Sequence, residues 1–104
     1  MLERFRSLAA TDITNAIDSY RSEGGDNLAI GFIDAVEHAI DRIQRSPRTG
    51  SLQFSYELGV PELRARKLVR FPFVIFYVPR YEHIDVWRVL HGRRDIPGAF
   101  RDDE

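Results

Sequence analysis

One histidine and several basic residues in the second half of the chain could together carry out acid–base chemistry on RNA. Cleavage through a 2′-hydroxyl needs a base for that hydroxyl, an acid for the leaving oxygen and cations for the developing charge. Histidine is the usual proton carrier at neutral pH, and His91 stands among basic residues. If the chain is a nuclease, we expect the chemistry from His91 with Arg66, Arg88 and Arg94, and with Lys67 beside them.

The same histidine has a structural interpretation, which we favour. His91 is followed by Gly92-Arg93-Arg94-Asp95, and hydrogen bonds of His91 and Asp95 would fix the C-terminal segment. Arg88 stands within a predicted strand, where an arginine is more often paired and structural than ligand-binding. We therefore predict no catalytic residue.

The formal net charge of −1 conceals a strong asymmetry along the chain. Residues 1–63 carry six arginines and ten acids, residues 64–94 carry eight lysines and arginines against two acids, and residues 95–104 carry one arginine and four acids. A basic segment of this kind attracts an anion, an acidic protein surface or a phosphate backbone. A solvated sheet face is the equally ordinary alternative. Aromatic residues at base-stacking positions are not evident, so we do not expect direct binding of nucleic acid.

Within the basic segment, Arg66, Lys67 and Arg70 either form a solvated face or receive an acidic partner segment. Tyr77 follows in a run of core-like residues, and we expect its hydroxyl to reach the surface.

Nothing in the sequence predicts a metal site or a cofactor. The chain has no cysteine, which excludes a disulfide framework, a thiolate zinc site and a cysteine nucleophile. His38 and His83 have no second ligand at helical spacing with a suitable third. Gly24-Gly25 is typical of a helix stop and not of a phosphate-binding loop.

A chain of 104 residues has the usual size of one domain, so we expect a single domain over residues 1–104. No apolar run approaches the ~18 residues that span a bilayer, and the N-terminus lacks the apolar run of a signal peptide. The absence of cysteine fits a reducing compartment. We expect a cytoplasmic protein without membrane contact.

The elements that must position these residues begin with two amphipathic helices. Ser7 can cap the first, whose apolar residues recur at helical spacing as far as Tyr20. Gly24-Gly25 ends it, and a second apolar stripe runs through residues 29–43 before Ser46-Pro47 ends the second helix. The short break predicts an antiparallel helical hairpin.

Residues 66–70, 73–78 and 84–90 are rich in β-branched and aromatic residues and predict an antiparallel meander of three strands. Residues 2–6 could add a short strand. Residues 47–62 contain two prolines and two glycines and are predicted to be mainly loop, in which alternating apolar residues form a brief strand or an apolar brace.

The predicted architecture is α+β, with the N-terminal helical hairpin packed on a small antiparallel sheet. Phe32, Val36 and Ile40 should then pack on the sheet opposite Ile75 or its neighbours.

The order of these signals resembles the ParE toxin family. The most specific piece is residues 84–97, which are similar to the final strand and C-terminal signature of ParE proteins. The other similar segments are Ser7-Leu8-Ala9 with Asp12-Ile13, Tyr20 with Gly24-Gly25, residues 32–40, Pro47-Arg48-Thr49-Gly50 and residues 66–77. The resemblance covers nearly the whole chain. The short N-terminus departs from the family because it leaves little room for the family's first strand.

The resemblance implies the RelE/ParE fold and a toxin of a type II toxin–antitoxin system, encoded beside a ParD-like antitoxin. Studied ParE members act on DNA gyrase, whereas RelE members cut mRNA on the ribosome, and the shared scaffold does not choose between them. RelE enzymes usually carry a tyrosine or a further basic group after the last strand, where this chain has Gly92 and Pro97-Gly98. We expect a gyrase inhibitor associated with plasmid stabilisation. The alternatives are a RelE-type ribosome-dependent endoribonuclease and a member that only binds its antitoxin.

With these partners, the candidate residues divide between two contacts. The residues expected to bind the antitoxin are Arg66, Lys67, Arg70 and Tyr77. The residues expected to bind the target are Arg88, His91, Arg93 and Arg94. Contact with DNA is expected only through the antitoxin in the complex.

Overall fold

The computed structural model describes residues 2–101, which form four strands and three helices. In chain order these are β1 (Leu2–Phe5), α1 (Ser7–Arg45), α2 (Gln53–Leu58), β2 (Arg64–Lys67), β3 (Phe73–Pro79), β4 (His83–His91) and α3 (Ile96–Arg101). A short 3-10 turn, Pro47–Thr49, links α1 to α2. The helices and the sheet confirm the α+β class.

The element α1 consists of two helical arms that meet at a reversal of the chain. Gly25 has φ +80° and ψ −171°, a conformation that glycine adopts without a steric penalty. An unbroken helix of 39 residues would be about 58 Å long, whereas the longest extent of the molecule is 38 Å. The amide of Gln44 donates a hydrogen bond of 2.7 Å to Glu3, which brings the end of α1 back to the start of the chain. The predicted hairpin is confirmed, with residues 7–24 and 26–45 as its arms.

The sheet has the strand order β1-β4-β3-β2. Both β2–β3 and β3–β4 are antiparallel, which confirms the predicted meander. β1 pairs with β4 in parallel, so the complete sheet is mixed. The long helical hairpin supplies the crossover that a parallel neighbour needs. All four residues of β1 are exposed, and therefore no alternation of buried residues indicated where this strand would pair.

The helical hairpin covers one face of the sheet and forms the larger core with it. Phe32 and Ile75 are both fully buried in this core, together with Val36 and Ile40. The predicted packing of the second arm on β3 is thus confirmed.

An aromatic cluster closes this core at the end of the sheet where β2 turns into β3. The ring centroid of Phe32 lies 5.4 Å from that of Tyr20, 5.6 Å from that of Phe71 and 5.2 Å from that of Phe73. Phe71 belongs to the turn between β2 and β3, so the cluster fixes that turn against both arms of the hairpin.

The opposite face of the sheet carries a smaller core under α2 and α3. Its buried members are Leu63, Phe76, Val78, Leu90, Ile96, Ala99 and Phe100. Phe54 and Leu58 pack against it from α2, four residues apart, whereas Tyr56 is 96% exposed. Residues 53–58 are therefore a helix that braces the sheet, and the alternative prediction of a brief strand is wrong.

Candidate functional site

Arg88 and Asp12 form a buried ion pair between β4 and α1. Arg88 Nε donates to Asp12 Oδ2 at 2.7 Å and its Nη2 donates to Oδ1 at 2.8 Å, while Nη1 donates to the carbonyl oxygen of Ala99 at 2.8 Å. The Arg88 and Asp12 side chains are only 4% and 8% exposed. Arg88 therefore joins the hairpin, the sheet and α3. This corrects the predictions that placed Arg88 in a target contact or in a nuclease site, because the folded chain holds its guanidinium inside.

Tyr77 is fully buried, although its hydroxyl was predicted to reach the surface. The hydroxyl donates to the carbonyl oxygen of Pro47 at 2.8 Å and accepts from the N–H of Gly50 at 3.2 Å. Burial raises the pKa of Tyr77, and the Gly50 hydrogen bond and two nearby arginines only partly oppose that effect. A Cβ atom on Gly50 would lie 2.5 Å from the hydroxyl, so this position requires glycine. Tyr77 is a support of the 47–50 segment and does not offer a surface for the antitoxin.

Arg64 is a supporting residue that the sequence did not single out. Its Nη1 donates to the carbonyl oxygens of Arg48 at 2.7 Å and Gly50 at 3.0 Å. Together with Tyr77 it holds the Pro47–Thr49 turn against β2 and β3. No pattern marks this role, because an arginine at the start of a basic strand looks like its exposed neighbours.

Arg66 lies in a groove between the second arm of α1 and β2. Two depressions of about 390 and 210 Å³ share His38, Arg42 and Arg66 and so run into each other. We call them the basic groove, and its charged and titratable lining residues are His38, Asp41, Arg42, Arg45, Arg66 and Lys67. Asp41 is paired with Arg45 at 3.1 Å, and four basic side chains face this one acid. The groove is therefore suited to an acidic partner.

A larger and mostly apolar depression lies on the other side of β2. It measures about 600 Å³ and is bounded by α2, the turn from β2 to β3 and the end of β4. We call it the apolar groove, and its main apolar lining residues are Phe54, Leu68, Phe71, Pro72, Val74 and Phe76. Lys67 and Arg93 also line it. Lys67 lines the basic groove as well, so the two grooves meet at this residue.

Four predicted site residues surround the end of the sheet. His91 lines the apolar groove together with Arg93 and also borders two neighbouring depressions of about 470 and 210 Å³. Arg70 lines the first of these and Arg94 lines the second. The structure thus brings Arg70, His91, Arg93 and Arg94 to one end of the molecule and leaves Arg66 in the basic groove.

His91 and Asp95 hold the chain where it leaves the sheet. Nδ1 of His91 accepts a hydrogen bond of 3.1 Å from the N–H of Arg93, and Oδ1 of Asp95 accepts one of 3.2 Å from the N–H of Gly98. The ring of Phe73 lies edge-on to His91, with centroids 5.3 Å apart. These local hydrogen bonds are consistent with a structural role for both residues.

The residues predicted for a nuclease site come together only in part. Arg88 is committed to Asp12, and Arg66 lies in the basic groove with its Nη1 donating to Thr49 at 3.0 Å. Lys67 and Arg94 each share a depression with His91. The geometry therefore offers a proton carrier without the full set of cations that a phosphodiester cleavage needs.

A second polar cluster, on β4, was not predicted. Asp85 accepts hydrogen bonds of 3.0–3.2 Å from both Arg6 and Arg80 and one of 3.1 Å from the indole N–H of Trp87. The guanidinium of Arg6 also lies 3.7 Å from the centre of the Trp87 ring. Burial acts to raise the pKa of Asp85, but the two arginines outweigh it and hold that pKa below its usual value. The cluster fastens the end of β1 to the centre of the sheet.

Two further kinds of site are absent from the part of the chain that the structure describes. Within residues 2–101, no three histidine or carboxylate side chains stand close enough to hold a metal ion. Of the helices in that range, none has the length and apolar character needed to cross a membrane.

A helical hairpin on a four-stranded sheet, with two grooves flanking an edge strand, defines the structural class as an α+β domain. A solved structure described as "Chromosomal ParDE TA system from P. aeruginosa" superposes with a TM-score of 0.71 and is 22% identical in sequence. The match covers 88% of this chain and 95% of that one. At this identity it establishes the fold. Among curated proteins, none matches the chain.

Residues 4–96 match the family described as the ParE toxin of the type II toxin–antitoxin system, parDE. The chain belongs to the ParE toxin family.

Proposed function

We propose that this chain is a cytoplasmic toxin that is neutralised by a ParD-like antitoxin and that inhibits DNA gyrase by binding it. The observation that carries the proposal is the family match over residues 4–96. The scattered positions of His91, Arg66 and Arg88 support an inhibitor that binds protein over a RelE-type nuclease. The biological role that follows is plasmid stabilisation.

The end of the sheet is the surface that we propose for gyrase. Arg93 and Arg94 are exposed there, beside the half-buried ring of His91 and the apolar groove. Arginine next to an apolar depression is typical of residues that contribute strongly to protein interfaces. Arg88, behind this surface, supports it through Asp12 and Ala99.

The basic groove is the surface that we propose for the antitoxin. Arg66 and Lys67 were predicted for this contact, and the fold adds Arg42 and Arg45 from the second arm of α1. A disordered acidic segment can fold against such a surface and gain from the opposite charge. The similar P. aeruginosa structure is described as a ParDE system, which supports a partner of the ParD kind. Any contact with DNA would be made by that partner.

A supercoiling assay tests the proposed target. The purified protein should block supercoiling by gyrase, and cells that produce it should filament and induce DNA-damage responses. The double variant Arg93→Ala/Arg94→Ala should weaken the inhibition about tenfold or more, because truncating an interface residue that contributes strongly costs at least about 2 kcal/mol. Arg4→Ala is the control, since Arg4 is also exposed but lies on β1 at the far edge of the sheet.

Two results would contradict this proposal in different ways. Codon-position cleavage of mRNA on translating ribosomes, reduced about 10²–10⁴-fold by His91→Ala, would establish the RelE-type activity. Normal antitoxin binding without any effect on gyrase or mRNA would leave a member that only binds its antitoxin.

A further inference from the structure

We propose that the apolar groove binds one segment of gyrase, in which a large apolar side chain is flanked by carboxylates. This inference rests on the proposed function, because it names the chemistry of the gyrase segment that the toxin would recognise. Arg93 borders the groove and Arg94 follows it in the chain, so the groove is continuous with the surface proposed for gyrase. The groove would supply the apolar part of that contact and the arginines its charged part.

The groove has the size and the floor of a site for an apolar side chain. Its volume is about 600 Å³, which lies within the range of about 300–1,000 Å³ that is typical of pockets enclosing a ligand. Phe54, Phe71 and Val74 line it and are half-buried, so each keeps some apolar surface in contact with solvent, and Phe76 is fully buried beneath them. Covering this surface with an apolar side chain of a partner is favourable.

Ring contacts fix both sides of the groove before a partner arrives. On one side, Phe54 of α2 packs edge-on against Phe76, with ring centroids 5.3 Å apart. On the other side, the ring centroid of Phe71 lies 5.1 Å from that of Tyr20 and 5.6 Å from that of Phe32. A preformed groove costs less free energy to fill than one that must be ordered on binding. The side chain that fills it can therefore contribute strongly to the affinity.

The rim of the groove determines the charge of the segment that would bind. Among the described residues that line it, Lys67 and Arg93 carry a charge at neutral pH and no acid is present. Neither of them belongs to an ion pair within residues 2–101, whereas Arg80 is paired with Asp85. Unpaired cations beside an apolar floor favour a partner whose apolar residue is accompanied by carboxylates.

His91 holds Arg93 at this rim. Its Nδ1 accepts the hydrogen bond of 3.1 Å from the N–H of Arg93, and its ring lies edge-on to Phe73 and lines the groove. An acid that pairs with Arg93 must therefore lie close to the side chain in the groove. The expected gyrase segment has an aromatic or large aliphatic residue with an acid within about three positions, since a chain spans ~3.3–3.6 Å per residue.

Gly92 allows the groove to be filled without a change in its charges. It lines the groove, and a Cβ atom on it would have one neighbour within 4 Å among the described residues, the carbonyl oxygen of Pro72 at 3.6 Å. Gly92→Phe should therefore fold and occupy part of the groove, whereas Gly92→Ala adds one methyl group. In the supercoiling assay, Gly92→Phe should inhibit gyrase at least about tenfold more weakly than Gly92→Ala, because it excludes a strongly contributing side chain. Equal inhibition by the two folded variants would overturn the inference and leave gyrase as the target.

Crosslinking identifies the bound segment and covers the case in which a melting curve shows that Gly92→Phe does not fold. The chain has no cysteine, so a benzophenone maleimide reacts at one introduced thiol. Gln53→Cys places the label at the groove, and Asp34→Cys places it on the exposed side of the second arm of α1 as a control. On irradiation with gyrase, the label at position 53 should crosslink to gyrase and the label at position 34 should not. Loss of inhibition caused by the label at position 53 alone would equally support the groove as the contact.

The crosslinked peptide decides the chemistry of the segment. It should contain an aromatic or large aliphatic residue with an acid nearby. A gyrase peptide without acids, crosslinks that join only two copies of this chain, or retained inhibition without any crosslink at position 53 would overturn the inference. A crosslink to the product of the adjacent reading frame in place of gyrase, when both are present, would overturn it as well. No inhibition of gyrase by the unmodified chain would overturn the proposed function together with it.

Discussion

At the scale of single residues, burial decides whether a charged side chain can contact a partner or stabilises the fold. Arg88 is buried with Asp12, which satisfies it through two side-chain hydrogen bonds. Removing one partner of such a pair leaves an uncompensated charge and costs far more than losing a surface pair. Arg93, five residues further along, is exposed and remains a candidate contact.

The ionisation of Asp85 should contribute to the stability of the folded chain. Its pKa in the folded chain lies below its usual value, although burial opposes this, because Arg6 and Arg80 stabilise the ionised carboxylate. Its contribution to stability is therefore present above the unfolded-state pKa of about 3.9 and is lost as the pH falls through the folded-state value. Asp85→Asn should lower the free energy of unfolding at neutral pH by about 1–3 kcal/mol and flatten its decline in acid.

Urea unfolding followed from neutral pH into the acid range measures both effects. Asp18→Asn is the control, because Asp18 is 65% exposed in its ion pair with Arg21 and should change stability little. Curves for Asp85→Asn and the unmodified chain that stay parallel through the acid range would contradict the assigned role of this carboxylate.

At the scale of elements, the helical hairpin positions the sheet and the turn between β2 and β3. Its second arm buries one face of the sheet through Phe32, and its aromatic cluster fixes the turn that borders both the apolar groove and the sheet end. α2 was harder to predict, since Phe54 and Leu58 fit an alternating pattern and a helical one equally well. In the folded chain both residues pack against the small core under α2, which a helix allows because they are one turn apart.

Phe32→Ala is the prediction at this scale. Phe32 has no exposed surface and contacts three other aromatic rings, so its loss should cost about 3–5 kcal/mol. Denaturant unfolding measures this cost. Ile30→Ala is a matched control on the same arm, because Ile30 is 52% exposed and should change stability by less than about 0.5 kcal/mol. A loss near zero for Phe32→Ala would show that the second arm packs differently.

At the scale of the whole molecule, the charge asymmetry of the chain becomes a separation of surfaces. The basic groove lies beside the hairpin. The end of the sheet that carries the exposed arginines lies beyond the apolar groove, and the two grooves meet at Lys67. An antitoxin seated along β2 would therefore come close to Arg93 without covering Arg4 on the opposite edge. Neutralisation by direct obstruction of the target surface is compatible with this arrangement.

The antitoxin association rate supplies the prediction at this scale. Arg66→Glu/Lys67→Glu should slow association and weaken its dependence on salt, because opposite charges steer encounter and salt screens them. Stopped-flow mixing with the antitoxin over a series of salt concentrations measures both. Arg4→Glu/Arg101→Glu reverses the same number of charges outside the groove and should act much less. Identical association kinetics for the two double variants would argue against the basic groove.

The sequence by itself was sufficient for the hairpin, the meander and the family. Helical and strand periodicities are local, and the Gly24-Gly25 break and the Phe71-Pro72 turn separate the elements without reference to the rest of the fold. The ParE-like order of motifs is equally a property of the linear chain. The basic character of β2 and of the segment after β4 was visible for the same reason.

Only the tertiary structure decided which of those residues are buried and which are exposed. Arg88 and Tyr77 look like functional residues in a strand, but Asp12 stands 76 positions away from Arg88 and Pro47 stands 30 positions away from Tyr77. Contacts at such separations leave no periodicity to detect. The parallel pairing of β1 and the two grooves that meet at Lys67 likewise arise from packing between distant segments, because a groove belongs to the elements that enclose it and to none of them alone.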